Sequence, residues 1–184
     1  MKLRYILLAA GVALPAVPAH AAVTVLGNTF ARTCYDAAEA RTSDAAEIVN
    51  CDRALREENL TDSDRVATHV NRGILKLRTG AVDAAIADFD RAIALNPGEA
   101  EAYLNKGMAV LRMPEGEEQA VGLFDAALSK KTRKPAIAYY GRAVANELNG
   151  RIKEAYRDYR QANLIDPKWR EPKTELARFT VRQQ

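Results

Sequence analysis

Several residue types are scarce in this chain of 184 residues, and each scarcity excludes a class of protein. Aromatic residues make up only 7% of the chain, and the Val/Ile/Thr alternation and Asn-Gly turns that sheet proteins need are rare. Two cysteines and two histidines leave too few ligands for a typical metal site, and no cofactor-binding motif is present. The formal net charge is only +3, which is too small to predict a nucleic-acid-binding surface. Because 48% of the residues are hydrophobic, a wholly disordered chain is excluded, and the abundance of alanine favours tightly packed helices.

The N-terminus has the pattern of a secretory signal peptide. Lys2 and Arg4 form a basic start, residues 5–17 are mostly apolar, and Ala19-His20-Ala21 provides the small residues that a signal peptidase reads. The pattern predicts a signal peptide over residues 1–21 that is cut before Ala22, with a periplasmic or secreted product free of the membrane. The alternative is an uncleaved anchor, although the apolar run is shorter than the roughly 20 residues that span a bilayer.

The centre of the chain repeats itself with a period of 35 residues. Residues 85–93 recur as residues 120–128 and again as residues 155–163. In each copy a small residue, an aromatic residue and a second small residue stand at i, i+4 and i+7, which is one face of a helix. A Gly precedes this face by 12 residues in the first copy, at Gly73, and therefore lies on an earlier helix. Each unit is thus predicted to be a pair of antiparallel helices.

This pattern resembles the tetratricopeptide repeat, a helix-turn-helix unit of about 34 residues. The resemblance implies an all-α fold, a right-handed α-solenoid of about three units over residues 66–99, 100–135 and 136–168. The middle unit departs from the family pattern by one extra residue in the turn 113–116 and by the absence of the usual terminal Pro. The positions that carry the resemblance are Gly73, Ala85, Phe89, Ala92, Pro97, Tyr103, Gly107, Ala120, Phe124, Ala127, Tyr139, Ala143, Ala155, Tyr159, Ala162 and Pro167.

Residues 22–62 are predicted to form a degenerate helical hairpin that precedes the three units. Cys51 stands where the aromatic residue of a unit belongs, and Cys34 lies at a mirrored distance from the turn at Thr42-Ser43. In an exported protein, two cysteines placed side by side in this way are expected to form a disulfide. Two buried free thiols are the alternative. After the last unit, residues 169–184 are predicted to form a capping helix on which Trp169, Leu176 and Phe179 share an apolar face.

The resemblance also implies a concave groove lined by the first helix of each unit. Its predicted peptide-binding surface is an apolar strip edged by two amides and two arginines, comprising Val70, Asn71, Ile74, Arg78, Asn105, Met108, Arg112, Tyr140 and Val144. Asn side chains can pair with a peptide backbone, and Arg with an acidic group. Some family members clamp a terminal carboxylate with Lys and Asn at fixed positions, and Val70, Ile74, Ile137 and Gly141 replace several of those here.

The expected function is a non-enzymatic, exported module that binds a protein or peptide and needs no cofactor. No Ser-His-Asp, Cys-His or paired-carboxylate arrangement stands out, and His69 occupies a position where the family usually packs a large ring. Two alternatives for the groove remain open at this point. The strip is filled by the N-terminal tail of the same chain, or by a second copy in a homodimer.

Overall fold

The computed structural model describes residues 3–7, 21–25, 29–40 and 46–183. Within these ranges the chain forms nine helices and one short pair of strands. The helices are α1 (Thr29–Glu39), α2 (Ala46–Glu57), α3 (Asp62–Arg78), α4 (Val82–Leu95), α5 (Ala100–Val110), α6 (Glu117–Ser129), α7 (Pro135–Leu148), α8 (Ile152–Ile165) and α9 (Arg170–Leu176). The strands are β1 (Leu3–Leu7) and β2 (Phe179–Gln183), which pair antiparallel, with Leu3 opposite Gln183.

The helices stack as the repeat pattern predicts. Consecutive helices pack in pairs, α3 with α4, α5 with α6 and α7 with α8, and each pair packs on the next. The first helices α1, α3, α5 and α7 also contact one another in order, so they form the inner layer of an α-solenoid. The all-α fold is therefore confirmed. In the part of the chain that the structure describes, no helix is long and apolar enough to cross a membrane.

Glycine and proline set the limits of the paired helices. Gly80 and Gly150 adopt left-handed backbone conformations, with φ of 84° and 72°, and they join the two helices of the first and third units. Asn96 is extended, with φ of −140°, because the Pro that follows it disfavours helical geometry. In the middle unit the longer turn places Glu115 in the left-handed region, with φ of 58°.

Two of the three aromatic residues of the repeat, Phe89 and Phe124, pack directly on glycine. Phe89 is fully buried, and its ring lies so close to Gly73 that a Cβ there would come within 2.5 Å of it. Phe124 lies in the same way against Gly107 of its own unit and Gly141 of the next. Because glycine has no side chain, the ring takes the place of one, and the inner and outer helices approach closely.

Charged pairs link the units on another face. In each unit a basic residue of the first helix reaches an Asp in the second helix of the preceding unit, as in Arg72 Nη1 to Asp52 Oδ1 at 2.7 Å. Arg72 also pairs with Asp88 of its own unit. Burial would raise the pKa of Asp88, but hydrogen bonds from His69, Arg72 and Lys76 outweigh it and hold that pKa well below its usual range. The other links between units are Lys106–Asp90 and Arg142–Asp125.

The N-terminal hairpin contains the predicted disulfide. Cys34 in α1 and Cys51 in α2 are both fully buried and joined, with a Cα–Cα distance of 4.9 Å. The carboxylate of Glu58 accepts hydrogen bonds from the main-chain N–H groups of Phe30 and Ala31, so it caps the first turn of α1. The predicted turn at Thr42-Ser43 lies outside the described residues.

The C-terminal cap is shorter than the sequence predicts. The helix α9 ends at Leu176, and Phe179 begins β2 instead of sharing a helical face with Trp169. The turn after α9 lets Arg178 Nη2 pair with the buried carboxylate of Glu147 at 2.7 Å, and a buried carboxylate needs such a partner. Trp169 does pack as a cap, with its ring centroid 4.8 Å from that of Tyr140.

The glycine–aromatic contact is tested by Gly73→Ala. We expect this variant to lose about 1–3 kcal/mol of unfolding free energy, because the new methyl group would overlap the Phe89 ring. The matched control is Gly122→Ala in α6, where no atom lies near the added Cβ and alanine should stabilise the helix by about 0.5–1 kcal/mol. Urea denaturation measures both variants. Equal stability of the two would show that the close approach is not required.

Candidate functional site

The predicted groove residues lie on the inner layer but are mostly covered. Seven of the nine are buried, namely Val70, Asn71, Ile74, Asn105, Met108, Tyr140 and Val144. Ala21 and Ala22 belong to the same buried apolar cluster as Val70 and Met108. The strip is therefore not an open surface in this structure.

Residues 21–25 pass through the groove in contact with the predicted amide positions. Val23 N donates to Asn71 Oδ1 at 2.9 Å, and Asn71 Nδ2 donates to Val23 O at 2.8 Å. One side-chain amide thus satisfies both main-chain groups of one residue, as the sequence analysis expects of a bound peptide. Asn71 is fully buried, so these two bonds are shielded from water.

A second set of contacts holds the two residues that precede Val23. Asn105 Nδ2 lies 3.4 Å from Ala21 O, and Arg133 Nη2 donates to Ala22 O at 3.2 Å. Asn71 and Asn105 stand 34 residues apart, at equivalent places in successive units. The amides are thus aligned along one extended stretch of main chain.

The far end of the segment is fixed at the N-terminal hairpin. Val25 is fully buried in a second apolar cluster with Ala31 of α1, Ala54 of α2 and Ala67 of α3. Thr24, between the half-buried Val23 and the buried Val25, is exposed. The segment therefore runs from the middle unit of the groove to the hairpin, with Ala21, Ala22 and Val25 buried against the protein.

The two arginines act between repeats. Arg78 donates to the carbonyls of Ala37 and Ala38 at the end of α1. Arg112 Nη1 donates to Leu77 O at the end of α3, at 2.7 Å. Each arginine thus caps the C-terminus of the preceding inner helix, where cations are favourable. In this structure both arginines contact main-chain carbonyls of the repeat stack, whereas the sequence analysis expects them to pair with an acidic group of a ligand.

Tyr140 and Val144 lie farther along the inner layer, in α7. Both are buried, and the Tyr140 ring packs against Tyr159 and Trp169 at the C-terminal end of the stack. In the part of the chain that the structure describes, neither side chain forms a hydrogen bond with the segment 21–25. Their role in binding stays a prediction.

Sequence reasoning missed Arg133 and the glutamates beside it. Val23, Thr24, Glu99, Glu101 and Arg133 line one depression of about 310 Å³, together with Lys130 and Lys131. From the sequence, residues 130–134 are predicted to be a solvated helix end. Their spacing gives no indication that they contact residue 22. Among the described residues, no group of three or more His, Cys, Asp or Glu side chains is arranged to hold a metal ion.

The capping role of Arg78 is tested by Arg78→Met. The variant keeps the aliphatic stem but removes a charged donor from two carbonyls, so we expect a loss of about 1.5–3 kcal/mol in unfolding free energy. Arg91→Met, at an exposed position of α4, is the control and should change stability by less than about 0.5 kcal/mol. Thermal and urea unfolding measure both. Indistinguishable variants would rule out the capping role.

Several solved protein structures have a fold similar to that of this chain. The Arabidopsis OM64 TPR domain has 25% sequence identity and a TM-score of 0.61, covering 64% of this chain and 96% of that chain. The second TPR domain of human RPAP3, solved in complex with the HSP70 peptide SGPTIEEVD, has 24% identity and a TM-score of 0.58, over 64% and 96% of the two chains. A crystal structure of MamA has 21% identity and a TM-score of 0.63, over 78% and 80%.

A comparison with curated protein sequences finds no significant match. The family model described as tetratricopeptide repeat matches residues 70–135 and 116–164, which together span more than half of the chain. The matched residues are those in which the structure shows paired helices with aromatic rings packed on glycine. The chain therefore belongs to the tetratricopeptide repeat family.

Proposed function

We propose that the protein is an exported, non-enzymatic interaction module whose groove binds an extended peptide segment. The observation that carries this proposal is the pair of hydrogen bonds between Asn71 and the main chain of Val23. Main-chain groups are the same in every extended segment, so the site suits a class of peptide and not one side chain. The resident occupant is the chain's own residues 21–25, of which residues 22–25 remain after the proposed cleavage.

The segment in the groove indicates which side chains a partner would present. Ala21 and Ala22 are almost fully buried, so the groove accepts small residues at these two positions. Larger side chains there would need the inner helices to move apart, which close packing resists. We therefore expect partner segments with small residues at two consecutive positions, followed by a residue that Asn71 can pair with.

The comparisons support a peptide as the class of ligand. The tetratricopeptide fold generally serves as a non-catalytic scaffold for protein interactions, and solved domains of this fold include complexes with HSP90 and HSP70 peptides. Those peptides both end in the acidic sequence EEVD. A different ligand is expected here, because Val70 and Ile74 are buried apolar residues and supply no positive charge.

Because the chain's own segment occupies the groove, a partner must displace it in order to bind. A partner segment binds only in the fraction of molecules whose residues 21–25 have left the groove, so the apparent affinity is reduced by that fraction. Weakening the internal contact should therefore strengthen binding in trans. This consequence distinguishes a groove that binds a partner from an apolar strip that only buries the N-terminal segment.

Displacement is tested with a labelled peptide of the sequence Ala-Ala-Val-Thr-Val, which is that of residues 21–25. Val23→Pro removes the N–H that donates to Asn71, so we expect this variant to bind the peptide at least about tenfold more tightly than the unaltered protein. Thr24→Pro is the control, since residue 24 is exposed and its change should leave affinity nearly unaltered. Fluorescence anisotropy measures binding, and circular dichroism checks the fold.

Two results would contradict the proposed groove. One is a folded Val23→Pro variant that binds the peptide no better than Thr24→Pro does. The other is binding that survives Asn71→Leu in the Val23→Pro background, since that change removes both partners of the peptide main chain.

Self-association is the second candidate, because residues 22–25 of one mature copy carry the same main-chain groups to the groove of another. Sedimentation equilibrium of the mature protein distinguishes the two. A concentration-dependent dimer that Val23→Pro disrupts would favour self-association. A monomer at all concentrations would favour a segment that stays in its own groove.

Export is proposed from the pattern of residues 1–21 and is supported by the disulfide, which persists in oxidising compartments. Intact mass spectrometry of protein from the exported fraction should give a chain that begins at Ala22 and is lighter by two hydrogen atoms than the reduced form. Reduction should cost about 3 kcal/mol of stability for a loop of this size. A chain that keeps Met1, or two free thiols, would contradict export.

A further inference from the structure

Asn105 contains a buried acceptor with no donor. This residue of α5 is fully buried, and its Nδ2 donates to Glu101 O at 2.8 Å and lies 3.4 Å from Ala21 O. Its Oδ1 is shielded from water and has no hydrogen-bond partner among the described residues. An unpaired buried amide oxygen is destabilising, and native structures rarely leave one. Asn105 Oδ1 therefore lacks a hydrogen-bond donor, and the nearby chain segment at residue 21 is where one could be supplied.

The main-chain nitrogen of Ala22 belongs to the peptide group whose carbonyl oxygen, Ala21 O, lies 3.4 Å from Asn105 Nδ2, and in the intact chain it donates no hydrogen bond to Asn105 Oδ1. It stands between two carbonyls that are both held, Ala21 O near Asn105 and Ala22 O on Arg133. Within a planar peptide group the nitrogen is about 2.3 Å from the carbonyl oxygen of the preceding residue. The same peptide bond is the predicted cleavage site of the signal peptide. While the Ala21–Ala22 peptide bond is intact, it presents the acceptor Ala21 O to Asn105, whose own Oδ1 is also an acceptor.

Buried negative charge lies near this peptide group, because the Arg133 guanidinium contacts both the Glu101 carboxylate and Ala22 O. Glu101 is 4% exposed and lies one helical turn before Asn105, and its carboxylate accepts from Arg133 N at 2.7 Å and from the Thr132 hydroxyl at 3.3 Å. Burial and the nearby Glu101 raise the pKa of Glu99 to about 7. Burial also works against the charge of Glu101, but the N–H and guanidinium of Arg133 outweigh it and lower that pKa. Lys130, Lys131 and Arg133 line the same depression, and the last two are exposed.

We propose that cleavage before Ala22 creates an α-ammonium group that binds in the groove, with Asn105 Oδ1 as acceptor and Glu101 as counter-charge. The inference rests on the export proposed above. Hydrolysis adds water across the peptide bond. The hydroxyl joins the carbonyl carbon of Ala21, which leaves as a carboxylate with the signal peptide, and Ala22 N gains a hydrogen and then a proton from solvent. The new group has three N–H donors, whereas the peptide bond had one.

The site makes the mature N-terminus part of the groove. The ammonium at Ala22 and the main chain of Val23 are then held by equivalent amides in successive repeats, Asn105 and Asn71. A chain that keeps one more residue places a peptide bond at this position and lacks the charge. The groove therefore closes fully only on a correctly cleaved chain.

The proposal is tested by the titration of the Ala22 amine in the full mature protein. A chain labelled with ¹⁵N at Ala22 is followed by NMR as pH is raised. We expect the amine pKa to be about 9 or higher, against about 7.7–8.0 for an ordinary α-amine, because the charged form is paired with Glu101. Glu101→Gln keeps the shape and one acceptor oxygen, and should return the pKa to the ordinary range. The control is Glu118→Gln, an exposed carboxylate in α6, which should not change it.

A second measurement compares melting temperatures. A mature chain with one added Gly before Ala22 should melt at a lower temperature than the unextended chain, and Glu101→Gln should remove most of that difference. An amine that titrates in the ordinary range together with equal melting temperatures would overturn the ammonium site alone, since the peptide displacement by Val23→Pro would still stand. A mature chain that begins elsewhere than Ala22 would overturn this site and the export proposal together.

Discussion

The close contact between an aromatic ring and a glycine sets the geometry on which the rest of the molecule depends. The rings of Phe89 and Phe124 occupy space that any side chain at Gly73, Gly107 or Gly141 would need. Outer and inner helices therefore approach closely in the first two units, and the inner helices fall into one layer. That alignment places Asn71 and Asn105 along a single extended line. A groove with regularly spaced amides is thus a consequence of the packing between helices.

The groove contains buried amides and apolar atoms, and residues 21–25 cover them. An apolar strip that contains two buried amides is unfavourable when empty, since the amides must be hydrogen-bonded and the apolar atoms shielded from water. The segment supplies small side chains and main-chain partners together. The arginines at positions 78 and 112 contribute differently, because they cap inner helices and fix one repeat on the next. Binding and stacking are therefore carried by different residues of the same surface.

The sequence was sufficient for the fold because the repeat period and the helix breaks are local signals. The aromatic positions, Gly80 and Gly150, and the mirrored cysteines all behave as their spacing predicts. The length of the last helix was not predictable in this way, since it depends on Arg178 reaching the buried Glu147 of another helix. The sequence also identified Asn71 as a backbone-binding amide. It gave no means to choose among the three possible occupants, because that choice depends on the path of residues 21–25 across the folded stack.

Hydrogen exchange at the amide of Val23 in the mature protein tests the central claim, that the groove holds its own N-terminal segment. This N–H donates to a fully buried oxygen, whereas residue 24 beside it is exposed. The account predicts slow exchange at Val23, protected to a degree similar to the amides of the inner helices, with much faster exchange at Thr24. Exchange of Val23 at the rate of an unstructured peptide would contradict the account, because the groove would then be open in solution.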